Sequence, residues 1–405
     1  MKNILNLTAL TTGGAGIACL RFHKILTQLN YNSYLVTPSK DLNFTKIKKI
    51  INPKIKNNFF LNFLKKIKNN NTFLKNYLVK INKYCFYGLE NSNFCSLNGF
   101  IPKNIDTIFV HWVDGFVNYD DLYKFYQTYK CKIIFLMYDM YPITGGCHYS
   151  YECKKFISGC KSCPAVPFFL RKKISKNFEK KFFLINMMNA EICVFSSQDY
   201  KLVKQSHLSF AKIHKLFIPI YFKDLPTRQF KKEKKFHILC SALKFDPRKG
   251  SEKLMELLDI LDDKLNSEHK VIIFFCFDNY FLKKIYKNIF FKKIKNPKSE
   301  HEMLNLYFKS DIFLNLSEAD SAPMMITEAL LCGIPVISTN IGNASDLIIN
   351  KNNGYVLAKY DPNDLINKII EIMSGKWKVD SLKISNEIKK KISIKKFKKL
   401  IDKIA

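Results

Sequence analysis

The chain has 405 residues, of which 47% are hydrophobic, so it is too long for a single core and too apolar for intrinsic disorder. Its 66 Lys and Arg residues outnumber its 34 Asp and Glu residues, which gives a formal net charge of +32. Such a charge favours anionic partners: nucleic acid, anionic lipid or a phosphorylated substrate. All but four of the cations are lysines, however, as codon bias in an A/T-rich genome also produces.

The sequence disfavours both nucleic-acid binding and membrane spanning. Proteins that read nucleic acid usually depend on arginine, and no zinc-finger spacing, leucine-zipper heptad or RNP-type signature occurs. The N-terminal residues lead straight into a strand-like run without the apolar core of a signal peptide, and no stretch of 18 uncharged apolar residues exists. We therefore predict a cytoplasmic protein with no nucleic-acid partner and reduced cysteines, attached at most to the cytoplasmic face of a membrane.

Strand-like and helix-like segments alternate from the N-terminus onward. Residues 4–7 are predicted as a strand, 11–16 as a glycine-rich turn, 17–29 as a helix and 33–37 as a second strand. Further strands are predicted at residues 107–110, 132–137, 192–195, 236–241, 271–277, 312–316 and 335–338. The predicted fold class is α/β, with two Rossmann-like doubly wound domains at residues 1–215 and 236–385 and a basic terminal helix at 386–405.

A basic segment at residues 44–84 stands apart from this pattern. It carries eleven lysines with several Phe, Leu and Ile residues, and no acidic residue occurs from Leu42 to Leu89. One interpretation is a segment that lies on an anionic bilayer, with Phe59, Phe60 and Phe63 in the interface. The other is a helical excursion that packs on its own domain and whose lysines reflect genome bias.

The most informative segment runs from residue 317 to residue 337, directly after a predicted strand. Pro323 lies where the first turn of a helix accepts proline, and Gly333 ends that helix. Free N–H groups at the helix start, around residues 322–325, would face the carboxyl edge of the sheet, where phosphate is favoured. Asp320 in the loop and Glu328 in the helix can face one crevice, where carboxylates suit the hydroxyl groups of a sugar or a ribose.

This segment resembles the E/D-x7-E and A-x-x-C/A-G-x-P-V patterns of retaining glycosyltransferases with the GT-B fold, in family 4 (glycosyl transferases group 1). The loop at 341–346 resembles the family's G-G-x-x-E, with Asn343 for the second Gly and Asp346 for Glu. Two strings, at 109–115 and 137–149, resemble a polysaccharide-assembly subgroup that carries a T-G-G-C-H-Y motif. The resemblance covers both predicted domains and implies that they face each other across a cleft.

The resemblance also implies roles on the donor side. Arg248 and Lys249, in a turn after the first strand of the second domain, would hold the donor diphosphate. Glu328 would bind the ribose hydroxyls and Asp320 the donor sugar, and both are candidate catalytic residues together with Lys249. The family's usual G-R pair is absent, because Ser241-Ala242 stands there. The remaining predicted donor-binding residues are Gly14 and Gly16 of the N-terminal glycine loop and Ser321, Pro323, Met324 and Met325 of the helix start.

On the acceptor side, many relatives carry a histidine where Tyr138 stands. The acceptor-side catalytic role of that histidine therefore does not transfer to Tyr138, and either His111 or His148 is the polar group near the acceptor. We name His111 as the candidate catalytic residue. The alternative is that each histidine is structural.

Four of the twelve cysteines, Cys147, Cys153, Cys160 and Cys163, lie within one loop predicted at residues 144–164. Their C-x5-C-x6-C-x2-C spacing can supply four thiolates to a structural zinc ion, with His148 as an alternate ligand. A redox or disulfide role and ordinary loop or core cysteines are the alternatives.

The resemblance implies transfer of a sugar from a nucleotide sugar to a hydroxyl of a lipid-linked or growing surface polysaccharide or lipopolysaccharide. UDP and GDP are the favoured donor nucleotides. The resemblance implies no cofactor for catalysis, because protein cations carry the leaving group. Two alternatives stay open. One is a catalytically degenerate relative that acts as a binding partner in glycan assembly, and the other is a nucleotide-sugar epimerase of the same fold.

Overall fold

A computed structural model describes residues 1–39, 50–51, 102–220, 235–240, 247–265, 270–276, 284–294, 297 and 299–405. The chain divides into two compact units. Unit 1 comprises Met1–Pro219 and Ile394–Ala405, and unit 2 comprises Ile220–Ser393. The basic segment at 44–84, apart from residues 50–51, lies outside the described residues, as do residues 241–246.

Unit 1 contains a parallel sheet of seven strands. The strands are β1 (Asn3–Leu7), β2 (Asn32–Val36), β3 (Ile50–Ile51), β4 (Thr107–Val110), β5 (Lys132–Leu136), β6 (Glu191–Val194) and β7 (Ile213–Lys215). Their spatial order is β3-β2-β1-β4-β5-β6-β7. β1, β4 and β5 lie inside the sheet and are short apolar runs because helices cover both faces of such a sheet.

Unit 2 contains a parallel sheet of six strands. The strands are β8 (Lys235–Cys240), β9 (Lys270–Cys276), β10 (Ile289–Ile294), β11 (Ile312–Asn315), β12 (Val336–Thr339) and β13 (Gly354–Leu357). The order β10-β9-β8-β11-β12-β13 repeats the first six positions of the other sheet. Each sheet therefore reverses direction once, between β1 and β4 and between β8 and β11, and ligands bind at such switch points in open α/β sheets.

Helices connect the strands in both units. In chain order they are α1 (Gly13–Gln28), α2 (Tyr119–Tyr129), α3 (Phe168–Met187), α4 (Ser197–Gln205), α5 (Ser251–Lys264), α6 (Glu300–Phe308), α7 (Met324–Leu331), α8 (Ala344–Leu347), α9 (Pro362–Met373), α10 (Ser381–Lys391) and α11 (Ile394–Ile404). In the part of the chain that the structure describes, no helix is long and apolar enough to cross a membrane.

The structure confirms the prediction of two doubly wound α/β domains. Every predicted strand is present with its ends within one residue of the prediction. The predicted turn at 11–16 differs, because α1 already begins at Gly13. A helix can begin inside a glycine run because the first N–H groups of a helix need no partner within it.

The basic terminal helix predicted at 386–405 is instead two helices, α10 and α11. The helix is interrupted at Ile392 and Ser393, because α10 belongs to unit 2 whereas α11 belongs to unit 1. Phe397 of α11 is buried and its ring lies 5.4 Å from that of Phe22 in α1. Lys132 Nζ donates to the carbonyl oxygen of Ile404 at 2.7 Å and fixes the end of the helix.

Replacing Phe397 with Ala should lower the free energy of unfolding of unit 1 by about 3 to 5 kcal/mol, because it leaves a cavity between α11 and α1. Chemical denaturation monitored by circular dichroism measures this. Lys399→Ala, an exposed change on the same helix, is the control and should have little effect. Equal stability of the two variants would contradict the docking of α11 on unit 1.

Candidate functional site

In unit 2, an ion pair joins the loops that follow β8 and β11. Lys249 Nζ donates to Asp320 Oδ2 at 2.5 Å, and Arg248 Nη1 lies 3.7 Å from the same oxygen. Arg248 Nη1 also donates to the carbonyl oxygen of Ala319 at 3.0 Å. Burial opposes ionisation of Asp320, but the charges of Lys249 and Arg248 outweigh it and hold the pKa of Asp320 below its usual range. Asp320 therefore stays ionised at neutral pH.

The same two loops touch through their backbones. Gly250 has φ of +76° and lies against Leu316, whose carbonyl oxygen would be 2.1 Å from a Cβ at residue 250. Only glycine fits there, in both conformation and space. The Glu318 N–H donates to the carbonyl oxygen of Arg248 at 2.7 Å. Arg248 and Lys249 are thus held against the loop that carries Asp320.

Glu328 lies one turn into α7 and is buried. Its Oε2 accepts a hydrogen bond from the hydroxyl of Tyr307 in α6 at 2.7 Å. A carboxylate has room for several donors, so this bond orients Glu328 without saturating it.

The start of α7 follows Pro323, which supplies no side-chain cap. Ser321 is buried just before it, and Met324 and Met325 are half-buried. The loop after β12 approaches closely, since a Cβ on Gly342 would be 2.5 Å from the carbonyl oxygen of Ser321. The structure thus brings five predicted elements together in unit 2: the cations, Asp320, the α7 start, Glu328 and the loop at 341–346.

Asn343, which stands for the second glycine of that loop, is also buried. Its Oδ1 has no hydrogen-bond partner among the described residues. Such an atom is unusual in a folded protein. At this position the chain therefore carries a buried side-chain amide where the pattern that it resembles has a glycine.

The predicted residues Gly14, Gly16, His111 and the four cysteines belong to unit 1. Gly14 is exposed at the start of α1, with open space where a side chain would be, so a ligand can approach its backbone. Gly16 is buried, so it contributes to the packing of the turn after β1 rather than to an open surface.

His111 follows β4 and is 5% exposed. Its Nδ1 pairs with the Tyr138 hydroxyl at 3.0 Å and its Nε2 with Asn6 Oδ1 at 3.1 Å. Burial, and to a lesser extent the neighbouring His23, lowers the pKa of His111 to about 3, so the ring is neutral. Tyr138 and Asn6 therefore occupy both ring nitrogens of His111.

His111 lines a pocket of unit 1 together with Trp112, Asp114, Tyr138, Asp139 and His148, among others. The pocket contains a network of carboxylates and histidine. His148 Nδ1 lies 2.5 Å from Asp139 Oδ2, and His148 Nε2 lies 3.2 Å from Asp114 Oδ2. Trp112 Nε1 donates to Asp139 Oδ2 at 2.9 Å. Burial opposes the charged imidazole, but the two carboxylates outweigh it and raise the pKa of His148 to about 9.

The sequence reasoning assigned no role to Asp114, Asp139 or Tyr307. Asp114 and Asp139 follow the apolar strands β4 and β5. Because ligands bind at the carboxyl ends of parallel strands, their positions in the sequence already indicate candidate site residues. No such signal existed for Tyr307, because it lies on a helix 21 residues before Glu328.

The four cysteines of the loop are free thiols, with Cys160 and Cys163 buried and Cys147 and Cys153 half-buried. Cys160 Sγ accepts a hydrogen bond from the N–H of Gly145 at 3.2 Å. Burial raises the pKa of Cys160 to about 11 and that of Cys147 further. Among the described residues, these four included, no group of three or more His, Cys, Asp or Glu side chains is arranged to hold a metal ion. The four thiols nevertheless lie near one another, because their charges raise one another's pKa. The structural zinc ion stays a prediction, and metal analysis of the purified protein tests it.

His148 makes the stability of unit 1 depend on pH. Its pKa is about 9 in the fold against 6.5 for an ordinary histidine, so its stabilisation is complete below pH 6.5 and is lost as the pH rises to 9. The difference in unfolding free energy between wild type and His148→Gln should shrink by roughly 3 kcal/mol over that window. Denaturant titrations at pH 6, 7.5 and 9 measure it, with the exposed His301→Gln as control. A difference that does not change with pH would contradict the ion pairs.

Residues 223–391 match the family model Glycosyl transferases group 1. An uncharacterized glycosyltransferase of Methanocaldococcus jannaschii is 26% identical over 131 residues, which are 32% of this chain. The match spans about a third, 36%, of the length of that curated relative.

Two solved structures are similar over nearly the whole chain. The lipopolysaccharide outer core galactosyltransferase WaaB has a TM-score of 0.62 at 15% identity, covering 100% of this chain and 99% of that one. HepE of Anabaena in complex with UDP-glucose has a TM-score of 0.61 at 12% identity, with coverage of 100% and 99%. The chain therefore has the two-domain α/β fold of GT-B proteins, and its residues 223–391 match the glycosyl transferases group 1 model.

Proposed function

We propose that the protein is a retaining glycosyltransferase that moves a sugar from a UDP or GDP sugar to a hydroxyl of a lipid-linked or growing surface glycan. The observation that carries the proposal is the convergence of Lys249, Arg248 and Asp320 with the start of α7 and Glu328 at the switch point of one sheet. The solved structure of HepE with UDP-glucose supports the donor class by analogy of fold.

The charge of the site suits a diphosphate. Around Asp320, Arg248 and Lys249 carry two positive charges against one negative charge, and the N-terminus of α7 adds a partial positive charge. The carboxylate of Glu328 lies one turn further along α7. A diphosphate bears about two negative charges, so it complements this surplus. Its approach would draw Lys249 away from Asp320 and free that carboxylate for a sugar hydroxyl.

In the proposed reaction, the bond from the anomeric carbon to the diphosphate breaks while the acceptor hydroxyl attacks from the same face. Lys249 and Arg248 stabilise the negative charge that develops on the leaving diphosphate. That diphosphate takes the acceptor proton, so no protein nucleophile and no divalent cation are required. Glu328, oriented by Tyr307, binds the ribose hydroxyls, and Asp320 binds the donor sugar.

The carboxylates of the unit 1 pocket supply a second set of hydroxyl-binding groups. The Asp114 side chain is 13% exposed, whereas both nitrogens of His111 are already bonded. We therefore propose Asp114, with His148 as its partner, as an acceptor-binding group, and His111 as a residue that positions Tyr138. The acceptor is proposed to be part of a surface polysaccharide or lipopolysaccharide.

Thermal stabilisation by UDP, GDP, ADP and dTDP sugars tests the donor class. A ligand at 100 times its dissociation constant adds about 2.7 kcal/mol to the unfolding free energy, which is readily seen. One selective responder is expected. Donor binding without turnover with any acceptor would instead favour the degenerate binding partner, and turnover of the donor sugar without an acceptor would favour the epimerase.

Lys249→Ala should cost about 2 to 4 kcal/mol of transition-state stabilisation, or roughly 30- to 1000-fold in kcat/KM. The physical reason is the loss of the cation nearest the leaving diphosphate. Release of nucleoside diphosphate measures the rate. Lys264→Ala, at the other end of α5, removes the same charge from an exposed side chain and is the control. Wild-type rates in Lys249→Ala would refute this role.

Glu328→Gln should weaken donor binding about tenfold or more, because a neutral amide accepts hydrogen bonds from hydroxyls more weakly than a carboxylate. Tyr307→Phe should have a smaller effect in the same direction, since it removes only the bond that orients Glu328. Calorimetric titration with the responding donor measures both. Tyr286→Phe, which removes a hydroxyl bonded to Asp259, is the control. Equal donor affinity in all the variants would contradict the assignment.

A further inference from the structure

Helix α3 in unit 1 exposes large aromatic side chains that the proposed reaction does not use. Phe168 is 80% exposed, Phe169 is 66% exposed and Phe183 is 58% exposed. Between them lie the exposed cations Lys172, Lys173, Lys176 and Lys180, and Met187 is exposed at the C-terminal end. We call Phe168, Phe169, Lys172, Lys173, Lys176, Lys180, Phe183 and Met187 the outer face of α3.

These residues share one side of the helix. The buried residues Ile174, Phe178, Lys181 and Ile185 recur at intervals of three and four and face the core. From Phe169 onward the outer-face residues recur at the same intervals on the opposite side, with Lys173 directly after Lys172. The inner side is fixed firmly, since Lys181 is buried with its Nζ donating to the Tyr141 carbonyl oxygen at 2.6 Å. The outer face is therefore a stable surface with aromatic residues toward both ends and lysines between them.

The surroundings of the outer face add positive charge. Arg171 is exposed beside Lys172, and the loop before the helix exposes Lys154, Lys155 and Lys161. That loop packs on α3, because Ser175 Oγ donates to the carbonyl oxygen of Gly159 at 3.3 Å. Within α3 the acidic residue is Glu179, and Lys180 is paired with Asp120 of α2. The first half of α3, residues 168–177, therefore carries four cations and no acidic residue.

We propose that the outer face of α3 binds the surface of an anionic bilayer. Phe168 and Phe169 enter the boundary between headgroups and acyl chains, and Lys172, Lys173 and Lys176 contact lipid phosphates and carboxylates. A helix that combines aromatic rings with lysines binds such a surface through buried apolar area and electrostatic attraction together. The proposal does not depend on the glycosyl transfer proposed above.

The observations favour lipid over two other partners. A second copy of the same basic face would repel it. Nucleic acid would be held mainly by the cations, and it would leave the rings at the two ends of α3 without a hydrophobic environment. Of these three partners, the bilayer surface accommodates both the rings and the lysines of one helix side.

The test is co-sedimentation of the full chain with vesicles of phosphatidylcholine alone or mixed with phosphatidylserine. Wild type should bind the mixed vesicles and not the neutral ones. Phe168→Ser with Phe169→Ser should weaken binding about tenfold, and Lys172→Gln, Lys173→Gln and Lys176→Gln together should weaken it about tenfold or more. The lysine variant should also lose most of the dependence on salt.

Matched controls lie in unit 2. Lys383→Gln, Lys389→Gln and Lys390→Gln together make the same charge change on exposed positions of α10. Ile285→Ser with Leu382→Ser removes two exposed apolar side chains, which are 94% and 54% exposed. Both controls should bind as wild type does. Because every substitution is at the surface, unchanged thermal unfolding midpoints check that all variants fold.

Three outcomes would overturn the proposal. Wild type could fail to bind the mixed vesicles, or the α3 variants could bind as tightly as the controls. Alternatively, the lysine variant could lose binding while the phenylalanine variant keeps it and an oligonucleotide competes, which would identify a polyanion site. Donor-induced thermal stabilisation in the same samples reports on the proposed transferase function separately.

Discussion

The ion pair between Lys249 and Asp320 holds together the two loops on which the unit 2 site depends. It links residues 71 positions apart, across the point where the sheet reverses direction between β8 and β11. The backbones of Gly250 and Leu316 are in close contact, and the hydrogen bond from the Glu318 N–H to the Arg248 carbonyl oxygen holds the loops together. Because the pair keeps Asp320 ionised and Lys249 in place, the site has its charges arranged before a ligand arrives.

Unit 1 has a different network beside its own switch point, in the loops that follow β4 and β5. Here an imidazolium, His148, lies between the carboxylates of Asp139 and Asp114, at the ends of the chain segments that leave β5 and β4. The two units thus share a strand order and a switch point, but one presents a cationic surplus and the other a carboxylate edge. This division suits a donor that carries phosphate and an acceptor that carries hydroxyl groups.

Much of the fold was predictable from sequence, and the failures have a common location. The strands that were missed are β3, β7, β10 and β13, which are the edge strands of the two described sheets. Interior strands are buried on both faces and therefore stand out as apolar runs, whereas edge strands are short or polar, as the IHK of β7 shows. The prediction of a single terminal helix was wrong for a related reason. Amphipathic periodicity continues across residues 392–393, and only tertiary packing places α11 in the other unit.

The sequence by itself determined the order of strands and helices, the strand-loop-helix setting of Asp320 and Glu328, and the basic turn at Arg248 and Lys249. These features are local, since apolar runs, glycines and prolines act on the residues beside them. Only the tertiary structure decided which side chains meet: Lys249 with Asp320, Tyr307 with Glu328, and Tyr138 with His111. It also decided that the four loop cysteines lie near enough to raise one another's pKa. Such contacts join distant segments, and their geometry depends on how the sheet and its helices pack, which spacing along the chain does not encode.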